Sequence, residues 1–287
     1  MIIQVPAGIG DFSWIYSKLV TLGEKLNVHV CKGGPARLAP IAELLPNILS
    51  IQYGNFGFGE LSKRAIPPHT PKKYLFEQPI GAAIPMSINR HLEEGYRIEQ
   101  WLPDVEVNHH YPTVIEDKYV ALANSVHHYK DYICIFAANK NTCANWNGWM
   151  APEWTEFMVT FRQEVADLPF VLIGANWDIQ LGDEITKMAH SRRVPLVNII
   201  GKTPLAASLH IVRQSKYFVS FPSGMGIMAH VLKQPCTMFY PKALEKMMGT
   251  YISPESRDLM RFHELQFCSP RKLVSWLVHN YKLKEKI

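Results

Sequence analysis

Asn198-Ile-Ile-Gly-Lys-Thr-Pro-Leu-Ala-Ala-Ser-Leu209, Tyr217-Phe-Val-Ser-Phe-Pro-Ser-Gly224 and Gln234-Pro-Cys-Thr-Met-Phe-Tyr-Pro241 decide the fold of this chain. In order they read as strand, Gly-Lys-Thr loop, helix, strand, Pro-Ser-Gly turn, helix and strand. Short apolar runs alternating with helical patterns predict a parallel α/β sheet. Both strand-to-helix turns carry small residues with free backbone N–H groups. In such a sheet they fall at the carboxyl ends of the strands, where phosphorylated ligands bind.

The alternation extends upstream. Strands are expected over 132–137, 170–173 (ended by Gly174) and 197–200, with helices from Pro152 and over 179–188. Pro152 and Pro204 suit first helical turns, where a missing N–H costs nothing. Further strands are expected over 217–220 and 237–239, and Ser269-Pro270 marks a last helix by cap and first-turn proline. The N-terminal part opens with a strand over 2–5 and the loop Pro6-Ala-Gly-Ile-Gly-Asp11. An apolar-periodic helix over about 12–25 follows, carrying Trp14, Ile15, Leu19 and Leu22. A strand over 27–31, a helix over 36–45 and a strand over 48–53 complete a βαβαβ unit. Prolines and glycines interrupt 54–85. A helix is expected over 88–102, containing His91 and Arg97, and then loop to about 129, with 118–122 as a short strand.

The 287 residues suffice for two α/β domains. We place these at 1–125 and 126–287. A hydrophobic content of 47% with 19% charged residues describes a globular chain with a sizeable core. No apolar run approaches the ~20 residues of a membrane span. The N-terminus has the look of a first strand rather than a signal peptide. Five scattered cysteines without a C-x-x-C pair disfavour a disulfide framework or a zinc site, so a cytoplasmic setting is expected. The net charge of +5 is weak for a dedicated nucleic-acid binder.

Two Rossmann-like halves with mostly parallel sheets facing a central cleft give the layout of a GT-B fold. Within it, Gly8-Ile-Gly-Asp11, Met150-Ala-Pro-Glu-Trp154, Val171-Leu-Ile-Gly174, Gly201-Lys-Thr-Pro-Leu205 and Pro222-Ser-Gly224 with Pro235 beyond occur in a telling order. In these motifs the chain resembles the heptosyltransferase-like (ADP-heptose:LPS heptosyltransferase) family of GT-B glycosyltransferases. The likeness covers most of the second half and the first fifty or so residues. Residues 89–99 also resemble the helix before that family's interdomain region. Two departures stand out. Pro222 replaces an Asp before the Ser-Gly, and a family histidine falls on Ile227, with His230 one turn later.

The resemblance implies transfer of a sugar from a nucleotide-sugar donor with inversion. No separate cofactor is expected. Asp11 would be the general base that takes the acceptor's proton; read without the resemblance, it is an ordinary helix cap. Gly8 and Gly10 would admit the acceptor or simply permit a positive φ, and His91 and Arg97 would contact the acceptor. Lys140, Lys202 and Thr203 would stabilise the donor diphosphate, although most lysines are solvated surface charges. Gly201-Lys-Thr is not a Walker A loop, because the glycine expected upstream is absent. Ser223 and Gly224 would offer backbone N–H groups to a phosphate, or form a plain Ser cap. Gly174 and Asn176 would border the nucleotide, or form a loop turn. Trp146 and Trp149 would stack on a ring or pack in the core.

The histidines make no metal-ligand pattern and Asp-x-Asp is absent, so no metal is expected. The acceptor is expected to be a glycan or lipopolysaccharide core. A hydroxymethylated base in DNA is an alternative, given Lys63-Arg64, Lys72-Lys73, Arg192-Arg193 and Arg271-Lys272. Further alternatives are a non-catalytic nucleotide-sugar-binding protein and a sugar-nucleotide epimerase. The oligomeric state is open.

Overall fold

Two sets of parallel strands carry the architecture. The computed structural model describes residues 2–6, 8–22, 25–31, 44–54, 99, 104–137, 149–221, 223–240, 260–264, 269–279 and 282–287. In the first sheet, β1 (Ile2–Pro6), β2 (Leu26–Cys31) and β3 (Ile48–Gly54) lie in that order, Ile2 opposite Asn27 and Val30 opposite Tyr53. Parallel neighbours need a crossover. Between β1 and β2 it is helix α1 (Ile9–Leu19), extended by the 3₁₀ turn Val20–Leu22. Phe12, Ile15, Tyr16 and Leu19 repeat at helical spacing and are all buried. The helix starts three residues before the expected position and stops well short of residue 25. The helix expected over 36–45 lies almost wholly outside the described residues, and only Glu99 is described in that over 88–102.

The second sheet contains β4 (Ile133–Phe136), β5 (Phe170–Ile173), β6 (Leu196–Asn198), β7 (Tyr217–Ser220), β8 (Cys236–Tyr240) and β9 (Met260–Glu264). Its order is β6-β5-β4-β7-β8-β9, parallel throughout. Counted from its first strand this is 3-2-1-4-5-6, the order of a doubly wound nucleotide-binding sheet. The order reverses between β4 and β7, which pair from Ile133–Tyr217 to Phe136–Ser220. Ile-Cys-Ile-Phe, Phe-Val-Leu-Ile and the Tyr-Phe-Val of β7 are unbroken apolar or aromatic runs because both faces of these strands are covered.

The helices are α2 (Asp117–Val126), α3 (Ala151–Glu164), α4 (Ile179–Ser191), α5 (Leu205–Gln214), α6 (Gly224–Val231), α7 (Pro270–His279) and α8 (Leu283–Lys286). Helix α3 packs on α4 and α7, whereas α2 packs on α5, α5 on α6 and α6 on α1. The short strand expected over 118–122 is therefore corrected to a helix. Asp117 in its first turn complements the macrodipole. Tyr119, Leu122, Ala123 and Val126 follow at i, i+3, i+4 and i+7 and pack into the core. Strand β9 was not anticipated.

Beneath α3 lies an aromatic cluster. Trp154 meets Trp149 edge-on at 5.1 Å and Phe221 at 5.3 Å, and Phe157, Phe161 and Phe170 continue the stack. Trp149 is thus a core residue; Trp146 lies outside the described residues. Truncating Trp154 would cost about 3–5 kcal/mol. Met150 N donates to Glu153 Oε2 at 2.9 Å, so the N-cap N–H of α3 has an acceptor.

Candidate functional site

Strand order decides where ligands can sit. In a sheet of this topology the binding crevice opens outside the carboxyl ends of the strands flanking the reversal. Here those are β4 and β7. The turn after β7 leads into α6 through Ser223, whose Oγ accepts from Gly226 N at 3.1 Å. Such a cap contributes about 1 kcal/mol. It leaves the N–H groups of Gly224 and Met225 without an intrahelical acceptor. The plain Ser cap and the phosphate site are therefore compatible at this turn. Ser220, the last residue of β7, is 1% exposed, and its Oγ has no hydrogen-bond partner.

The first turn of α1 meets the first turn of α6. A Cβ on Gly224 would lie 2.6 Å from Ile9 Cβ and 3.2 Å from Gly10 N, and a Cβ on Gly10 would lie 3.7 Å from Gly224 Cα. Gly8 is the N-cap of α1 with φ −77°, and Gly10 is helical. Neither serves a positive φ, and the small size of Gly10 is used for close helix approach instead. Asp11 is neither in the turn nor a cap. It is the third residue of α1, since Phe12 N already donates to Gly8 O at 2.9 Å. A carboxylate in a first helical turn is favoured by the dipole.

Behind this contact residues 108–111 touch both helices. Asn108 N donates to Ser17 O at 2.7 Å, and the buried Tyr111 hydroxyl lies 2.6 Å from Ser13 Oγ and donates to Met228 Sδ at 3.6 Å. Burial pushes the Tyr111 phenol far up from its ordinary pKa. His110 Nδ1 lies 3.1 Å from His230 O, with the two rings 4.9 Å apart, and His109 bonds Glu99 at 3.0 Å. Burial holds the His110 pKa down. His230 sits at the far end of α6, about 9 Å along the axis from Gly224. It joins this packing and not the first turn. Sequence reasoning treated these histidines singly; their meeting joins residues 120 positions apart.

The other expected residues spread along the same carboxyl edge. Gly174 follows β5, and its carbonyl accepts from Gly201 N at 3.0 Å, tying the loops after β5 and β6 together. The space for a Cβ at Gly174 is taken by Asp178 and Ile200, at 3.2 Å. Lys202 is exposed, with Nζ donating to Asn198 O at 2.9 Å, and Thr203 Oγ1 lies 2.8 Å from Ser208 Oγ. Strands lie ~4.8 Å apart, so the β6 loop stands three spacings, roughly 14 Å, from β7. Lys202 and Ser223-Gly224 are not brought together. Lys140, His91 and Arg97 lie outside the described residues. Among the described residues, no group of three or more His, Cys, Asp or Glu could hold a metal ion. Nor is any helix among them long and apolar enough to cross a membrane.

No protein family and no curated protein matches the chain by sequence. Several solved structures match it in fold. The ADP-heptose LPS heptosyltransferase II of E. coli aligns at a TM-score of 0.66 and 17% identity, covering 100% of this chain and 99% of its own. A glycosyl transferase family 9 protein of Veillonella parvula DSM 2008 gives 0.66 and 14%, covering 100% and 92%. The E. coli heptosyltransferase WaaC with ADP gives 0.58 and 10%, covering 100% of both. The chain therefore has the heptosyltransferase-like fold that its motifs resemble. At these identities the likeness is one of fold.

Proposed function

We propose that the chain is a glycosyltransferase moving a sugar from a nucleotide-sugar donor to a hydroxyl of a glycan or lipopolysaccharide-core acceptor. The observation that carries this reading is the meeting of the first turns of α1 and α6 beside the reversal point of the second sheet. In this reading the two sheets face one cleft. The lobe of β1–β3 holds the acceptor, with Gly8, Gly10, His91 and Arg97 on its side. The lobe of β4–β9 holds the donor.

The donor diphosphate sits at the N-terminus of α6, on the Gly224 and Met225 N–H groups beside Ser223, with Lys140 supplying a charge. Gly174, Lys202 and Thr203 border the other end of the nucleotide. Asp11 accepts the proton of the acceptor hydroxyl as that oxygen attacks the anomeric carbon. The bond from that carbon to the diphosphate oxygen breaks, and the configuration inverts. Charge developing on the leaving diphosphate is met by fixed N–H groups and lysine, so the step needs no metal. ADP-heptose is the first donor to try, because two of the similar structures are heptosyltransferases described with ADP-heptose or ADP.

The polymer alternative is not favoured. Arg192-Arg193 lie at the C-terminal end of α4, on the opposite edge of the sheet from the crevice. Arg271 is engaged with Glu156 at 2.5 Å. The DNA acceptor also finds no support in the similar structures.

The test is sugar transfer from ADP-heptose and other nucleotide sugars to a lipopolysaccharide-core acceptor by wild type and Asp11→Asn. Loss of a general base is expected to lower kcat by about 10²–10⁴-fold, with nucleotide affinity retained. Full turnover by Asp11→Asn removes the base assignment. Absence of binding to any nucleoside diphosphate removes the whole reading.

A further inference from the structure

We propose that Trp177 is the platform on which the base of the donor nucleotide stacks, an assignment that rests on the nucleotide-sugar reading above. Trp177 lies in the short 3₁₀ turn Asn176–Asp178 that follows β5 at the carboxyl edge of the sheet. Its indole is 56% exposed, and Ile179 beside it is 42% exposed. Trp149 and Trp154, on the neighbouring α3 side, are by contrast packed into the core. An exposed aromatic face on the ligand edge is what a stacking platform requires.

Position supports the assignment. Strand β5 is the second strand of the 3-2-1-4-5-6 order, and in sheets of this order the nucleoside lies beyond that strand while the phosphates sit at the reversal. Two strand spacings, roughly 10 Å, separate β5 from β7. A nucleoside diphosphate anchored at α6 can bridge that gap along the edge. Gly201 lies against Asn176 and Ile179, the residues on either side of the 3₁₀ turn's Trp177–Asp178 pair. Its φ of +72° suits glycine, and a Cβ there would meet Ile179 Cδ1 at 2.9 Å and Asn176 Oδ1 at 3.0 Å. The bond from Gly201 N to Gly174 O holds the β6 loop against the β5 loop at backbone level. Every nucleobase presents a π-face, so an indole holds the base by area and stacking with little dependence on its edge groups.

The experiment is isothermal titration of ADP and UDP into wild type, Trp177→Ala, Trp177→Leu and Trp177→Phe, with melting curves to establish that each variant is folded. Stacking on one aromatic ring is worth roughly 5- to 150-fold in affinity. Trp177→Ala and Trp177→Leu are expected to weaken binding of the better nucleotide by that factor, while Trp177→Phe stays within a few-fold of wild type. Unchanged affinity in Trp177→Ala overturns the assignment. So does equal rescue by Leu and Phe, because bulk alone would then suffice. Failure of wild type to bind either nucleotide overturns it too, whereas the donor-site reading falls only if no nucleoside diphosphate binds.

Discussion

Replacing Gly224 by alanine tests the contact on which the site is built. The new Cβ would stand 2.6 Å from Ile9 Cβ and 2.7 Å from Ile9 Cγ2. Non-bonded carbons rest near 3.8 Å, so the overlap is about 1.2 Å (3.8 − 2.6). Ile9 cannot swing away, since the clashing Cβ is fixed to the backbone and the side chain is branched there. The first turns of α1 and α6 must then separate by about 1 Å, and overpacking of this kind costs about 1–3 kcal/mol. For a chain of this size that lowers Tm by roughly 2–12 °C.

Gly10→Ala in the same contact is the control. Its Cβ meets Ile227 Cγ1 at 3.4 Å and Gly224 Cα at 3.7 Å, which are ordinary contacts. Alanine is also favoured over glycine within a helix by about 1 kcal/mol. The two variants should therefore move Tm in opposite directions. Calorimetric melts measure this directly. In the transfer assay a 1 Å misplacement in Gly224→Ala is expected to cost about 10²-fold. If Gly224→Ala melts at or above Gly10→Ala, the helices do not approach as described and the reasoning fails.

Two pH responses follow from buried groups. His110, His127 and His210 are all held below their ordinary pKa, chiefly by burial. Below about pH 6.5 the unfolded chain binds more protons than the folded one, so stability falls as pH drops from 7 toward 5. Melts across that range should show it, with part of the slope removed in His127→Phe; a Tm flat or rising toward acid would contradict the burial of these rings. Burial also lowers the Lys18 pKa to about 8, against the opposing pull of Glu99 and Asp104. Between pH 8 and the ordinary lysine value near 10.4 the unfolded chain holds the extra proton at this site, so Lys18 contributes a rise in stability with pH there, against the opposite contribution of Tyr111, Cys134 and Cys236, whose pKa values burial raises. Lys18→Met should remove that contribution, so the variant's stability falls more steeply with pH than that of wild type, and equal slopes would place the ammonium in solvent.

The second half was legible because its strands are short, fully apolar and flanked by glycine or proline. Phe170–Ile173 and Tyr217–Ser220 appear with the expected bounds. Strand adjacency was not legible, for no local pattern states that β4 pairs with β5 on one side and β7 on the other. Met260-Arg-Phe-His-Glu264 does alternate apolar and polar residues, a signal that could have revealed the edge strand β9. Helix α2 was misread because Tyr119-Val-Ala-Leu122 is a short apolar run that suits strand or helix alike until α5 lies against it. At Asp11 the alternative reading as a helix cap does not hold, because the chain uses Gly8 for that purpose and carries the Asp as the third residue of the helix. The exposure of Trp177 was hidden, since a tryptophan in sequence carries no sign of which side of the surface it will occupy.

The pairing of β4 with β7 also sets a schedule for biosynthesis. Ile133 must wait for Tyr217, 84 residues later (217 − 133), before its second edge is covered. At about 5–20 residues per second, translation leaves that edge open for roughly 4–17 s. An Ile-Cys-Ile-Phe strand with unpaired backbone is a template for intermolecular pairing during that interval. Slower synthesis at lower temperature lengthens that exposure even as it weakens the apolar attraction that drives aggregation.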